Sequence, residues 1–278
     1  LAGPGPVLAP GAYDALSARL IEQAGFEAVY MTGFGAAASL LGRPDIGLLS
    51  FSEMVDNARR IAAVVDVPVI ADADNGYGNA INVIRTVREY EAAGVAAIQL
   101  EDQVVPKRCG HMEGKHVIAA DEMVGKLRAA VDARRSKDCL IIARTDARAV
   151  EGLDRALDRA CRYREAGADV LFVEAPQSEQ EVALIGKTLG AEVPLLYNWV
   201  EGGKSPPLSR ERLGELGFRL IIFPVTALFA ATRIVRESLT ELRKSGTPVA
   251  VVDRPVRFPE FLDVIGVLEL SELEKRFA

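Results

Sequence analysis

A chain of 278 residues, 49% of them hydrophobic, can bury a substantial core as one large domain or two small ones. A net charge of −6 with no long basic run argues against nucleic acid as the main partner, and the short, charge-broken apolar runs leave no membrane span. A small-molecule partner is the expectation. The opening "LAGPGPVLAP" lacks the basic start and apolar middle of a secretory signal. Cys109, Cys139 and Cys161 show no C-x-x-C spacing, which fits a reducing cytoplasm.

In chain order, short β-branched or apolar runs recur as "PVLAP", "AVYMTG", "VPVIADAD", "AAIQLED", "LIIARTD", "VLFVEA", "PLLYNWV" and "RLIIFPV". Stretches such as "SEMVDNARRIAAVV", "NAINVIRTVREYEAAG", "ADEMVGKLRAAVDARR" and "LDRALDRACRYREAG" lie between them with apolar residues at helical spacing. Continuously apolar strands alternating with helices indicate βα units, and eight units in this length match a (β/α)8 TIM-like barrel. An open doubly wound sheet uses the same units, but no G-x-G-x-x-G follows the first strand. The tail "FPEFLDVIGVLELSELEKRFA" adds helix beyond the eighth unit, so residues 247–278 read as a helical extension of a single domain over 1–278.

Chemistry in a barrel sits at the C-terminal ends of the strands, and here those ends are polar. They carry Thr32, Gly33, Phe34 and Gly35; Asp72 and Asp74; Glu101 and Asp102; Arg144, Thr145 and Asp146; Glu174; and Asn198. Six successive strands delivering polar groups to one rim indicate an active site rather than packing. Asp72, Asp74 and Glu101 are hard oxygen donors suited to Mg²⁺, with Mn²⁺ able to substitute. At period two, Asp72 and Asp74 are expected on the same side of their strand. Arg144 can fork onto a carboxylate or pair with Glu174, and "TGFG" offers backbone N–H groups to an anion.

The motifs "MTGFGAAASLLGRPDIG", "DADNGYGN", "LEDQVVPKRCGH", "IIARTDA" and "NWVEGGKSP" follow one another in an order that resembles the isocitrate lyase and phosphoenolpyruvate mutase superfamily. "PKRCGH" is the most specific and resembles the branch of methylisocitrate lyase, dimethylmalate lyase and carboxyphosphonoenolpyruvate phosphonomutase. The resemblance implies a Mg²⁺ site at Asp72 and Asp74 with Glu101 in its shell, and Asp45 reaching toward the metal waters or the reacting group. It implies substrate binding by Tyr30, Thr32, Gly33, Phe34 and Arg144, with Glu174 and Asn198 on the rest of the substrate. Lys107, Cys109, Gly110 and His111 would lie on a gating loop. Phe34 stands where small residues are common in the family, and Glu174 where the phosphonate-forming mutases typically carry histidine. The resemblance also implies an eighth helix exchanged with a neighbouring subunit, giving dimers or tetramers.

Cleaving a carbon–carbon bond of a 2-hydroxy acid requires a base for the hydroxyl proton, charge stabilisation on the α-oxyacid oxygens and a proton for the departing carbanion. Cys109 is the expected proton donor, its pKa lowered by Lys107, Arg108 and His111. The base is a hydroxide held by the metal or a carboxylate such as Glu101. Gly110 and Gly114 are expected to let the loop bend, and His116 reads as a surface residue. A Mg²⁺-dependent lyase of a 2-methylisocitrate-like or alkylmalate-like acid is the first reading. A carboxyphosphonoenolpyruvate phosphonomutase, an oxaloacetate decarboxylase and a non-catalytic keto-acid-binding barrel are the alternatives.

Overall fold

In the computed structural model, which describes residues 1, 3, 5–248 and 256–278, the eight apolar runs are eight parallel strands closed into one barrel in sequence order. The strands are β1 (Val7–Ala12), β2 (Val29–Met31), β3 (Val69–Asp72), β4 (Ala97–Glu101), β5 (Leu140–Thr145), β6 (Val170–Val173), β7 (Leu195–Asn198) and β8 (Phe218–Phe223). Closure is made by β1 against β8, with Val7 opposite Leu220 and Pro10 opposite Phe223. The helices are α1 (Ala15–Gln23), α2 (Gly33–Leu41), α3 (Phe51–Ala62), α4 (Ala80–Ala92), α5 (Ala120–Ala133), α6 (Ala147–Glu151), α7 (Leu153–Glu165), α8 (Glu179–Leu189), α9 (Arg210–Glu215), α10 (Thr226–Ser245), α11 (Phe258–Val264) and α12 (Val267–Phe277). The expected (β/α)8 class and the C-terminal helices are both present. Contacts divide the chain into two compact units, Leu1–Thr226 and Ala227–Ala278.

Helix starts are fixed by side chains that accept from otherwise unpaired N–H groups. Ser50 and Glu53 close a capping box on α3, and Asn79 accepts from Ile81 and Asn82 at the start of α4. Each main helix buries residues at i, i+4 and i+7 against the strands: Met54, Ala58 and Ile61 in α3; Val83, Val87 and Tyr90 in α4; Met123, Leu127 and Ala130 in α5. The strands are buried on both faces. Tyr30, Ile70, Ala97, Ile142, Phe172 and Leu196 fill the barrel interior, while their neighbours Met31, Ala71, Ile98, Ile141, Leu171 and Leu195 pack outward against helices. This parity decides which polar residues reach the barrel mouth. No helix among the described residues is long and apolar enough to cross a membrane.

Candidate active site

Each interior-facing apolar residue is followed, two positions on, by a polar one at the end of the same strand or just past it. Tyr30 leads to Thr32, Ile70 to Asp72, Ala97 through Gln99 to Glu101, Ile142 to Arg144, Phe172 to Glu174 and Leu196 to Asn198. Period two therefore carries six side chains over the rim and into one mouth. All six are buried.

Asp72 and Asp74 stand on one side of the mouth. Asp72 Oδ1 accepts from Asp74 N at 3.0 Å and from Gln99 Nε2 at 3.4 Å, and Tyr30 donates to Gln99 Oε1 at 3.4 Å. Tyr30 thus lies in the barrel interior, two bonds beneath Asp72. Asp74 has φ +47°, a left-handed conformation uncommon for a residue with a Cβ. The strand stops at Asp72, so Asp74 reaches the site by a turn and not by the strand alternation that period two suggests. Gly33, at the start of α2, comes so close that an added Cβ would lie 2.6 Å from Asp72 Oδ2. Thr32 caps that helix by accepting from Gly35 N at 3.2 Å, and the first N–H groups of a helix have no intrahelical acceptor. Phe34 is half-buried beside them.

Residues 103–117 form a flap over the mouth. Its stem is fixed by an antiparallel bridge between Gln103 and Val117 and by Val104 N donating to His116 O at 2.9 Å. Gln103 holds Arg108 through both of its amide atoms, at 2.8 and 2.9 Å, and His116 is exposed, as expected. The flap lies closed. Lys107 Nζ, almost fully buried, sits 2.7 Å from both Asp45 Oδ2 and Asp74 Oδ1. Burial alone would lower its pKa, but Asp74, Glu101, Asp45 and Asp72 together push it well above the ordinary lysine value. Cys109 N donates to Asp45 O at 3.2 Å, tying the flap to the loop before α3.

On the other side stand Arg144, Glu174, Asn198 and His111. Arg144 Nε and Nη2 fork onto Asp146 at 2.9 and 3.1 Å, Nη1 lies 3.4 Å from Glu101 Oε2, and the guanidinium rests over the Phe172 ring. Asn198 Nδ2 donates to both Glu174 oxygens, at 3.2 and 3.3 Å. His111 Nδ1 accepts from Lys204 N at 3.0 Å, so the neutral ring carries its proton on Nε2, which lies 3.2 Å from Glu174 Oε1. Burial pushes Glu174 up, but Arg144 and the His111 hydrogen bond outweigh it and hold the carboxyl at about 2.

The charges in this mouth do not balance. Six buried carboxyl groups (Asp45, Asp72, Asp74, Glu101, Asp146, Glu174) face three buried cations (Lys107, Lys115, Arg144), so three would lack a counter-charge were all six ionised. Burial raises Asp74 to about 6 and Glu101 well above the carboxylate range, and both Glu101 oxygens are buried without a hydrogen-bond donor. A divalent cation beside Asp72, Asp74 and Glu101 would relieve both the charge and the orphaned oxygens. Among the described residues no three His, Cys, Asp or Glu side chains converge as a ready-made ligand cage. That donor set suits Mg²⁺, which keeps several waters and takes one or two carboxylates.

Residues 1–243 match the family model for phosphoenolpyruvate phosphomutase. The chain belongs to this family. Over 272 residues it is 50% identical to 2,3-dimethylmalate lyase of Eubacterium barkeri, covering 98% of this chain and 93% of that protein. It is 47% identical to 2-methylisocitrate lyase of Aeropyrum pernix, covering 98% of this chain and 86% of that one. A crystal structure of 2,3-dimethylmalate lyase superposes with a TM-score of 0.94 at 41% identity, covering 99% and 91% of the two chains. A phosphonopyruvate hydrolase solved with oxalate and Mg²⁺ superposes with a TM-score of 0.88 at 33% identity, covering 98% and 94%. The isocitrate lyase and phosphoenolpyruvate mutase superfamily is thus the chain's own, and the chain is an enzyme of it.

Within that family mouth, one expectation about the flap is corrected. Cys109 does not have the lowered pKa that its basic neighbours suggest: burial pushes its thiol up to about 11, with Asp45 and Glu174 adding to the rise and only the His111 backbone N–H and Arg144 opposing it. Lys107 does not acidify it because its charge is spent on Asp45 and Asp74. At Gly110 the backbone passes so close to Glu174 Oε1 and Arg144 Nη2 that no side chain fits. Gly114 has φ +76°, a conformation that glycine adopts without steric cost. Three supporting groups escape a reading of site residues from sequence: Asp146 in its role under Arg144, Lys115 at the flap's base, and Lys204 with Gly203, whose added Cβ would lie 2.8 Å from the His111 ring.

Proposed function

We propose that this chain is a Mg²⁺-dependent lyase that cleaves the carbon–carbon bond of a 2-hydroxy acid of the 2-methylisocitrate or alkylmalate type. The products are pyruvate and a second carboxylic acid. The observation that carries this reading is the closed flap that brings Cys109 to the mouth, its N–H on Asp45 O at 3.2 Å and its neighbour Gly110 packed against Glu174 and Arg144. A protonated acid at that place is what a departing carbanion requires.

Asp72 and Asp74 would hold Mg²⁺, directly or through waters, with Glu101 nearby. When bound, the ion supplies Lewis-acid stabilisation of negative charge on the α-oxyacid oxygens. The N–H groups of Gly33 and Phe34 and the Thr32 hydroxyl bind the carboxylate of the pyruvate half, and Arg144 engages the same ligand. Glu174 and Asn198 orient the other half. Glu101, at the same mouth and with neither oxygen holding a hydrogen-bond donor, takes the hydroxyl proton. The C2–C3 bond then breaks, its electron pair passing to the leaving carbon, and Cys109 Sγ–H delivers the proton there as the enolate collapses. The flap keeps water from protonating that carbon out of turn.

The reading extends to a cytoplasmic homo-oligomer. All three cysteines are free thiols. No residue of α10 is buried, and its Val235, Leu239 and Leu242, at i, i+4 and i+7, are exposed. Leu16 and Leu20 of α1 are exposed as well. An eighth helix exchanged between copies of the chain would cover such faces.

The test is pyruvate release from a panel of 2-hydroxy and 2-oxo acids with and without Mg²⁺. Release from a 2-alkylmalate or 2-methylisocitrate, abolished by chelation, is expected. No turnover on any member would sink the lyase reading, and a carbon–phosphorus bond appearing by phosphorus NMR would replace it with the phosphonomutase.

A further inference from the structure

Lys115 closes the stretch "KRCGHMEGK", lies outside the residues that face substrate, and is nevertheless buried. Its Nζ donates to Asp146 Oδ1 at 2.9 Å and, in a shorter contact, to Gly110 O. Asp146 in turn takes the fork of Arg144 through both of its oxygens and is itself anchored by its N–H to Asp102 Oδ1 at 2.9 Å. One ammonium therefore joins the crown of the flap, at Gly110, to the carboxylate that aims the substrate-binding arginine. Lys115 sits just inside the fixed stem, so a lifted flap would carry Gly110 O away while the amine stayed beside Asp146. Gly110 O would then lose a charge-assisted donor and Asp146 would keep its arginine.

We propose that Lys115 is a positioning residue, the latch that holds the crown of the flap, and Cys109 with it, shut over the mouth by tying Gly110 O to Asp146. This rests on the proposed lyase reading only for its effect on turnover. Losing the Lys115 link frees the crown at Gly110 without disturbing the stem, because the stem bonds of Gln103, Val104, His116 and Val117 do not involve Lys115, while Lys107, Cys109 and His111 bind the mouth through partners of their own. A salt bridge whose only role was structural would not control access to a thiol six residues away.

The test is the rate at which iodoacetamide alkylates Cys109, followed site by site by mass spectrometry in the full chain with Mg²⁺, with and without oxalate. In Lys115→Met the rate should rise at least tenfold in both conditions, and Lys115→Arg should restore it to within threefold of wild type. Asp146→Asn provides a second route should Lys115→Met fail to fold. It too should open the flap, and the double variant should alkylate no faster than the quicker single one, since both remove the same link. Turnover, where measured, should show an about 100-fold lower kcat with KM changed less than threefold. Wild-type alkylation rates in Lys115→Met, or singles whose effects multiply in the double variant, would overturn the latch. The thiol readout needs no turnover. A wild-type chain that cleaves no acid yet opens in Lys115→Met removes the lyase and keeps the latch, whereas an active wild type with unchanged alkylation in the variant does the reverse.

Discussion

Cys109 is partly buried on the closed flap, and that desolvation, with Asp45 and Glu174 nearby, raises its thiol to about 11. A general acid of this kind contributes about 10²–10⁴ in rate, so Cys109→Ser should lose about that much turnover while still binding oxalate by calorimetry; retention of full activity would remove the acid role. The same burial gives a pH signature. A group whose pKa rises on closure stays protonated to higher pH in the closed complex than in the open enzyme, where the thiol returns toward about 8.5. The alkaline limb of kcat, which reports the complex, should therefore lie above that of kcat/KM, which reports free enzyme. Coincident limbs would contradict it. Residues such as Asp72, Glu101, Arg144, Glu174 and Asn198 were legible in the sequence because each continues the interior parity of an apolar strand. The link between Asp146 and Lys115 was not, because it is a bond between side chains across the mouth, and no spacing along the chain encodes that bond.

At the scale of the element, the flap is decided by how closely its backbone can pass. A methyl group at Gly110 meets Glu174 Oε1 and Arg144 Nη2, both buried and both held by other bonds, so neither can withdraw cheaply. Gly110→Ala should therefore block closure. The expected outcome is a roughly 100-fold slower turnover, with a loss of unfolding free energy of no more than about 1 kcal/mol because the flap can lift while the barrel stays folded. Gly125→Ala in the middle of α5, where an added Cβ meets nothing, is the matching control and should raise stability by about 0.5–1 kcal/mol with activity intact. Denaturant melts beside steady-state rates check both, and a Gly110→Ala variant with normal turnover would show that the flap has room the structure does not have. The strands and main helices of this barrel could be read from apolar runs and helical spacing, since burial on both faces dictates them. The turn that delivers Asp74 could not: it depends on one left-handed residue, whose carboxylate is bound by Lys107 from the flap.

For the whole molecule, the unused apolar surface sets the prediction. α10 runs through 20 residues without burying one, while Val235 is 55% exposed and Leu239 58% exposed. Each such side chain gains roughly 1.5–3 kcal/mol when fully covered, so a row of them at i, i+4 and i+7 is a large term to leave in water. On the barrel, Leu16 and Leu20 present a second exposed apolar pair one turn apart on α1. A symmetric exchange, in which each copy's α10 covers its partner's barrel, would bury both surfaces twice with one operation. An aspartate in the middle of the row would place a charge in that interface, and burying an unpaired charge costs more than the leucine gained. Leu239→Asp should therefore shift the chain from oligomer to monomer in sedimentation at micromolar concentration. It should also lower the thermal midpoint and remove its dependence on protein concentration. A wild-type chain that sediments as a monomer, or an unchanged oligomer in Leu239→Asp, would mean that α10 is not the exchanged element.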